Sequence, residues 1–256
     1  MSGTIGSTPT TEIISEGLVF NVDARLRASV LKPLGNPMHV HNTVAENTFD
    51  EGVCKMSGMT SLESGGTISF SYINSGPTNN NWVLFDGMTT LNLSRNHSAE
   101  FVIYNKNIFG PTSWPAIYNR GGQSGSNGYW WCFLTDGGGV DNLIWQYSYA
   151  PSSYASLSVP TVINRFGYTH GIISINYDTF EYKVYINGAL VSTQTPDVTI
   201  REVPGQDNLY MGVYNGSSGS QYGFTGDIPI LRFYDRVLNE DEVTHNFTAI
   251  KNYYAL

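Results

Sequence analysis

The sequence predicts an all-β protein: a β-sandwich of two antiparallel sheets carrying one short C-terminal helix. Three observations lead there. Charged residues make up 13% of the 256, against roughly 25% in ordinary soluble domains, and the chain holds 17 Tyr and 27 Gly. From Gly17 onward, short apolar runs alternate with turn clusters of Gly, Asn, Ser and Pro, without a linker. Helical spacing with a start signal occurs convincingly in one place, near the C-terminus.

The elements follow in chain order. Residues 1–14, rich in Ser and Thr, read as a flexible arm, and residues 15–256 as a single domain. In Gly17-Leu-Val-Phe-Asn-Val-Asp23, strict alternation puts Leu18, Phe20 and Val22 on one face. Ala99-Glu-Phe-Val-Ile-Tyr104 is apolar on both sides, as a central strand would be. Ile173, Ile175 and Tyr177 alternate with Ser174 and Asn176. Tyr182–Ile186 and Ala189–Ser192 flank Asn187-Gly188, a pair suited to a type I′ hairpin turn, where both central residues need positive φ. Leu209–Val213 and Ile228–Tyr234 read as two more strands. Asn239 and Glu242 form a capping box ahead of Val243 and Phe247, one turn apart.

Several function classes are excluded by composition. With 21 acidic and 13 basic residues, a net charge of -8, the chain lacks the clustered Lys and Arg that displace counterions from nucleic acid. It also lacks a basic run for anionic lipid, and the uncharged stretch 142–164 is broken by Pro151 and Pro160, so no membrane span is expected. The N-terminus shows no secretory signal, and the expectation is synthesis in a cytoplasm. Cys54 and Cys132 are expected as reduced core residues. The sequons at Asn92, Asn96, Asn215 and Asn246 matter only in a eukaryotic secretory pathway.

Catalysis is disfavoured. Sandwich hydrolases use paired carboxylates at period-two spacing on one strand face, yet none of the ten Glu residues has Asp two positions on. Glu240-Asp241-Glu242 belong to a helix start, where carboxylates complement the dipole. Ser29-Val-Leu-Lys32 fits S-x-x-K by letters, without its companion motifs. His39-Val-His41 reads as an exposed strand pair rather than a metal site.

The C-terminal half resembles a known family. His170-Gly-Ile-Ile-Ser-Ile-Asn-Tyr-Asp178, Val184-Tyr-Ile-Asn-Gly188, Leu209-Tyr-Met-Gly212, Phe224-Thr-Gly-Asp-Ile228, Leu231–Leu238 and Asn239–Val243 follow in an order that resembles the laminin-G-like, concanavalin A-like jelly-roll domains. The ends, Gly17–Ala24 and His245–Tyr254, are similar to the versions found in bacteriophage virion proteins; residues 25–98 carry no resemblance. The resemblance implies a jelly-roll sandwich. Where many members carry an acidic pair in the last strand, this chain has Pro229-Ile230, and a residue without an amide donor predicts an edge or bulged position.

The candidate contact residues are aromatic. Tyr129-Trp-Trp-Cys-Phe-Leu134 leads through Asp136 and Asp141 into Leu143-Ile-Trp-Gln-Tyr-Ser-Tyr149. Neighbours on a strand point to opposite sides, so Trp130 and Trp131 cannot share a core. Tyr129, Trp130, Trp131, Trp145, Tyr147 and Tyr149 therefore read either as a platform for a glycan or protein partner, or as a second core layer. Asp136 and Asp141 read as an ordinary hairpin turn or as weak Ca²⁺ ligands, with no other cofactor expected. The leading expectation is a non-enzymatic virion protein, a capsid decoration or head-fibre component. Its partners would be other virion proteins such as the major capsid protein, or a second or third copy of the chain. The alternative is a lectin-like, glycan-binding module of a tail or head fibre, docking on a surface polysaccharide.

Overall fold

A computed structural model describes residues 12–23, 30–31, 39–40, 55–57, 60–63, 67–70, 82–85, 96–106, 114–120, 130–135, 140–150, 153–195, 208–213 and 223–256. The strands are β1 (Leu18–Asp23), β2 (Val30–Leu31), β3 (His39–Val40), β4 (Lys55–Ser57), β5 (Thr60–Glu63), β6 (Thr67–Phe70), β7 (Trp82–Phe85), β8 (His97–Asn105) and β9 (Ala116–Arg120). They continue as β10 (Trp130–Thr135), β11 (Val140–Ala150), β12 (Ser153–Asn164), β13 (Tyr168–Asn176), β14 (Glu181–Ile186), β15 (Ala189–Gln194), β16 (Leu209–Met211) and β17 (Gly226–Tyr234), followed by helix α1 (Glu240–Tyr254). One sheet runs β15-β14-β13-β8-β17-β6-β5, with β1 also pairing β17; the other runs β12-β11-β10-β9-β16-β7-β4; β2 and β3 pair by themselves. The pairings are antiparallel, and the expected two-sheet, jelly-roll-like sandwich with a C-terminal helix is what forms. His39 lies in β3, whereas Ser29, Lys32, His41 and Cys54 lie outside the described residues.

The inner faces of the two sheets make the main core, among them Phe20, Phe101, Ile117, Tyr118, Trp145, Ile173, Val184 and Phe233. Each such side chain contributes roughly 1.5–3 kcal/mol by leaving water. Strand β8 is apolar on both sides because it is central: Ala99, Phe101 and Ile103 face the core, while Val102 faces α1. The Asn187-Gly188 turn has φ of 50° and 78°, as the type I′ hairpin requires.

Two bulges reset the alternation. In β17, Ile228 and Pro229 stand between Asp227 and Ile230 where β8 supplies one residue, Ile103. Pro229 thus occupies a bulge in a central strand, not an edge. Before the bulge Ile228 faces the core; after it Leu231 and Phe233 do, and Ile230, Arg232 and Tyr234 turn outward under α1. In β1 the register slips between Leu18 and Phe20. Phe20 and Val22 enter the core as expected, but Leu18 packs outward against the cluster of Ile172, Tyr234, Leu238 and Val243.

Helix α1 is closed at its start by the expected capping box between Asn239 and Glu242. Its buried stripe is Val243, Asn246, Ile250 and Tyr254. Residues 12–14, the end of the expected arm, lie against it: the Ile14 amide donates to Asn246 Oδ1 at 2.8 Å, and His245 Nε2 meets the Glu12 carbonyl.

Beneath α1 the outer face of the sheet carries a buried polar cluster. Glu100 Oε1 lies 3.1 Å from Arg232 Nη1 and 3.0 Å from His170 Nε2. Its Oε2 accepts from the Tyr234 hydroxyl at 3.0 Å and from Asn246 Nδ2 at 3.1 Å. Arg232 also donates to Asp23 at 2.6 Å and Asn21 at 3.0 Å. Burial alone would raise the Glu100 pKa, but the Arg232 guanidinium and the His170 and Tyr234 hydrogen bonds bring it from the ordinary 4.5 down to about 2.

A carboxyl that is harder to protonate when folded contributes stability above its unfolded pKa and loses it as pH falls through the folded one. Here that window runs from about pH 4.5 to about pH 2. About 3 kcal/mol of unfolding free energy should disappear across it, at ~1.36 kcal/mol per pKa unit. Urea titrations through this range check the slope. The Glu100→Gln variant should be less stable at neutral pH, where it leaves Arg232 underpaired, and should lack that acid slope.

Candidate functional site

The aromatic segment folds as the β10–β11 hairpin. Trp130 stands opposite Tyr147, Trp131 opposite Gln146, Cys132 opposite Trp145 and Phe133 opposite Ile144. The pleat divides the tryptophans as expected. Trp130, Cys132, Leu134, Leu143, Trp145 and Tyr147 enter the main core. Trp131 and Phe133 face the other way and stack, ring centroids 3.9 Å apart, over Ala116 and Ile144.

These placements correct the expectation of a broad surface platform. Trp130, stacked on His97 at 4.8 Å, is a core residue, as are Trp145 and Tyr147, each 1% exposed. Trp131 lies on the outer face of its sheet but retains only 7% exposure. Tyr129, Asp136 and the Tyr149 side chain lie outside the described residues. Asp141 is fully buried and held by Arg165 through Nη2 at 2.6 Å and Nε at 2.9 Å, with Asn105 donating at 2.6 Å. That carboxylate is neutralised by a guanidinium, which removes it as a calcium ligand. Among the described residues no group of three or more His, Cys, Asp or Glu is placed to hold a metal. Cys132 is a free, buried thiol, its pKa pushed up by burial, in keeping with the core role expected of it.

The hairpin does contribute to one concave site. The two sheets end, on one side of the sandwich, in the edge strands β12 and β15. Gln194 Nε2 on β15 donates to the Ser158 carbonyl on β12 at 2.9 Å, so an amide bridges the two edges. Beside it lies a cleft of about 70 Å³, lined by Trp145, Tyr147, Ser156, Leu157, Tyr182, Gln194 and Thr195. Trp145 meets Tyr182 edge to face with ring centroids 5.6 Å apart and lies tilted against Tyr147 at 5.4 Å, which fixes the three rings against one another. Tyr182 is 1% exposed, and its hydroxyl is buried beside the Tyr147 phenol. Burial, and then the neighbouring Tyr147 phenol, raise its pKa well above the ordinary value, so the group is a neutral O–H donor.

An aromatic floor beneath a rim of hydroxyls and an amide can hold a polar group with apolar flanks. The sequence pointed to Trp145 and Tyr147 and missed Ser156, Leu157, Tyr182, Gln194 and Thr195. Tyr182 alternates with Val184 on a strand and looks like any core tyrosine. Gln194 reaches Ser158 only because two separate sheets end side by side.

The architecture and the site define a class: two-sheet jelly-roll sandwiches with a recess between sheet edges. A family profile described as the concanavalin A-like lectin/glucanases superfamily, of laminin G type, matches residues 77–244. The chain belongs to that superfamily. No curated protein sequence matches it. Among solved structures it is similar in fold to a botulinum neurotoxin type C chain, described as dependent on two ganglioside molecules to get into cells. That likeness has 10% identity and a TM-score of 0.64, covering 91% of this chain and 51% of that one. It is similar too to the binding domain of botulinum neurotoxin DC, in complex with rat synaptotagmin II (10% identity, TM-score 0.63, 91% and 52% covered). The CBM40 domain of the Ruminococcus gnavus IT-sialidase aligns at 15% identity and a TM-score of 0.54, covering 70% of this chain and 94% of that one. The chain spans about half the length of the two neurotoxin chains.

Core and rim positions should separate on substitution. Trp130→Ala opens the main core and should cost about 3–5 kcal/mol in chemical denaturation. Gln194→Ala at the half-buried rim should cost about 1 kcal/mol or less. Loss of binding in a Trp130 variant would therefore report a damaged core rather than a lost contact.

Proposed function

We propose that the chain is a non-catalytic, lectin-like module that binds glycan in the cleft between β12 and β15. The observation that carries this reading is the cleft itself: three mutually fixed aromatic rings beneath a polar rim of Ser156, Gln194 and Thr195. Sugar C–H groups pack on aromatic faces and edges, while hydroxyls satisfy buried donors and acceptors that otherwise cost about 1–3 kcal/mol each. Superfamily membership and fold neighbours described by ganglioside interaction support a binding role.

The non-catalytic part of the reading draws on where the carboxylates sit. Glu100 and Asp23 are bound to Arg232, Asp141 to Arg165, Asp227 to Lys106 and Glu242 to Arg236. Glu100 and Glu242 are poor general acids, because the Arg232 and Arg236 guanidiniums hold their pKa values below the usual carboxylate range. The virion setting, with shell proteins as partners, rests on the phage-like ends of the sequence. The chain's presence in the proteome of purified phage particles tests it.

The full-length chain should bind members of a broad immobilised glycan panel, and a Ser156→Ala, Thr195→Ala double variant should weaken that binding about tenfold, the equivalent of ~1.4 kcal/mol. Both are exposed rim positions, so the variant should keep the wild-type melting curve within a few degrees. A panel on which nothing binds overturns the proposal, as does glycan release from those ligands by the purified chain.

A further inference from the structure

We propose that Phe180, on the turn beside the cleft, is an aromatic platform on which the C–H face of a pyranose ring stacks. The inference rests on the reading of the cleft as a glycan site and gives that site a residue outside the recess itself.

Position comes first. Strands β13 and β14 are joined by the turn 177–180, which follows the paired residues Asn176 and Glu181. Tyr177 opens the turn. Burial, and then the Tyr182 and Tyr147 phenols, raise its pKa well above the ordinary value, which sets it beside two residues that line the cleft. Ring contacts give the same placement: His97 lies 5.8 Å from Tyr177 and 4.8 Å from Trp130, and Trp130 stands opposite Tyr147. Phe180 closes the turn, two residues before Tyr182, whose partner on β15 is Gln194 of the rim.

Conformation comes second. Phe180 has φ of 54°, in the left-handed region where Cβ crowds the following carbonyl, and the residue is 38% exposed. In the next hairpin the chain meets the same requirement with Asn187 and Gly188, residue types for which that backbone costs least. A phenylalanine that bears the strain without burying its ring is explained by contact with something outside the chain. The turn is also held firmly. Asn176 Oδ1 accepts from the amides of Asp178 and Thr179 at 2.9 and 3.1 Å. The Tyr177 amide donates to Asn96 Oδ1 at 2.7 Å, and Asn96 Nδ2 donates to Asp178 at 2.6 Å. A ring fixed in this way loses little freedom when a ligand docks on it.

Phe166 has a similar backbone, with φ of 58°, and is 61% exposed. It precedes β13, whereas Phe180 follows the end of that strand, and its amide donates to the Asn105 carbonyl. The nine residues of β13, at ~3.3 Å each, put the two phenylalanines roughly 30 Å apart. Strain and exposure do not choose between them; proximity to the cleft does. With the apolar face of a pyranose on Phe180, hydroxyls at the edge of the sugar would reach the polar rim of Ser156, Gln194 and Thr195.

The test measures affinity of the full-length chain for soluble glucose-, galactose- and mannose-based oligosaccharides, and for the panel glycans that wild type retains. Phe180→Asn removes the ring and suits the left-handed backbone. It should weaken binding about tenfold or more, while the melting temperature holds or rises. Phe180→Trp should bind within about threefold of wild type, and Phe166→Asn should bind as wild type does. In proton NMR spectra the sugar ring C–H signals should move upfield on binding, through the aromatic ring current, and lose much of that shift with Phe180→Asn. A Phe180→Asn variant that binds as tightly as wild type overturns the proposal. So does one whose melting temperature falls by more than a few degrees, because the ring would then be a packing residue. If Phe180→Asn binds normally while the Ser156→Ala, Thr195→Ala double variant is weakened, the platform is wrong and the cleft reading stands. Failure of every glycan overturns both.

Discussion

The structure depends on one buried ion pair with its retinue. Glu100 and Arg232 face each other across β8 and β17, both fully buried, and each reaches elements beyond its partner. Arg232 gathers β1 through Asn21 and Asp23. Glu100 gathers β13 through His170, β17 through Tyr234 and α1 through Asn246. Asn246 in turn holds the chain before β1 through the Ile14 amide. Charges in such a place are costly to desolvate, and what offsets the cost is that nearly every lone pair and donor is matched. The cluster therefore acts as a registration device. A one-residue slip of β17 against β8 would put Arg232 in the apolar core and leave Glu100 alone.

The bulge at Pro229 makes that arrangement reachable. With unbroken alternation, Ile228, Ile230, Arg232 and Tyr234 would share a face. Ile228 faces the core, so Arg232 would too. One extra residue flips the phase, keeping Ile228, Leu231 and Phe233 inside and sending Arg232 and Tyr234 under α1. Proline suits the position because a bulged residue need not donate to the ladder. Gly171, opposite Phe101 in β13, shows how closely the neighbouring layer is fitted: a Cβ there would come within 2.3 Å of the phenylalanine ring. The face under α1 is thereby committed to stability, and the recess lies apart from it, between the sheet edges at β12 and β15.

Local signals in the sequence carried the fold well. Asn187-Gly188 specified its turn through φ, Asn239 and Glu242 specified the helix start, and the doubly apolar run of β8 specified a central strand. Phase was less legible. Leu18 and Arg232 lie on faces that strict alternation assigns wrongly, because a bulge leaves no periodic trace beyond a proline or an unremarkable valine. The site was legible only in its aromatic half. Trp131 did turn away from Trp130, as the pleat requires, but a pleat says nothing about whether an outward ring stays exposed. Trp131 found Phe133 two residues on and became part of a minor core. Tyr182, Gln194 and Ser158 are brought together by two sheets that end side by side, a relation with no signature in local sequence.

Low charge acquires a structural meaning from these placements. The buried carboxylates are spent on internal cations, and what lines the recess is phenol, indole, hydroxyl, amide and one leucine. Such a recess cannot steer a ligand from a distance, because steering needs a field that uncharged groups do not project. Any selectivity there must come at contact, from the shape of three fixed rings and from the hydroxyls and amide of the rim. Contact selectivity of that kind is weak per site, of the order of one hydrogen bond and one packed methylene, or ~1–3 kcal/mol. A module built this way gains useful avidity by presenting several copies to a repeating polymer, where each added site acts at high effective concentration.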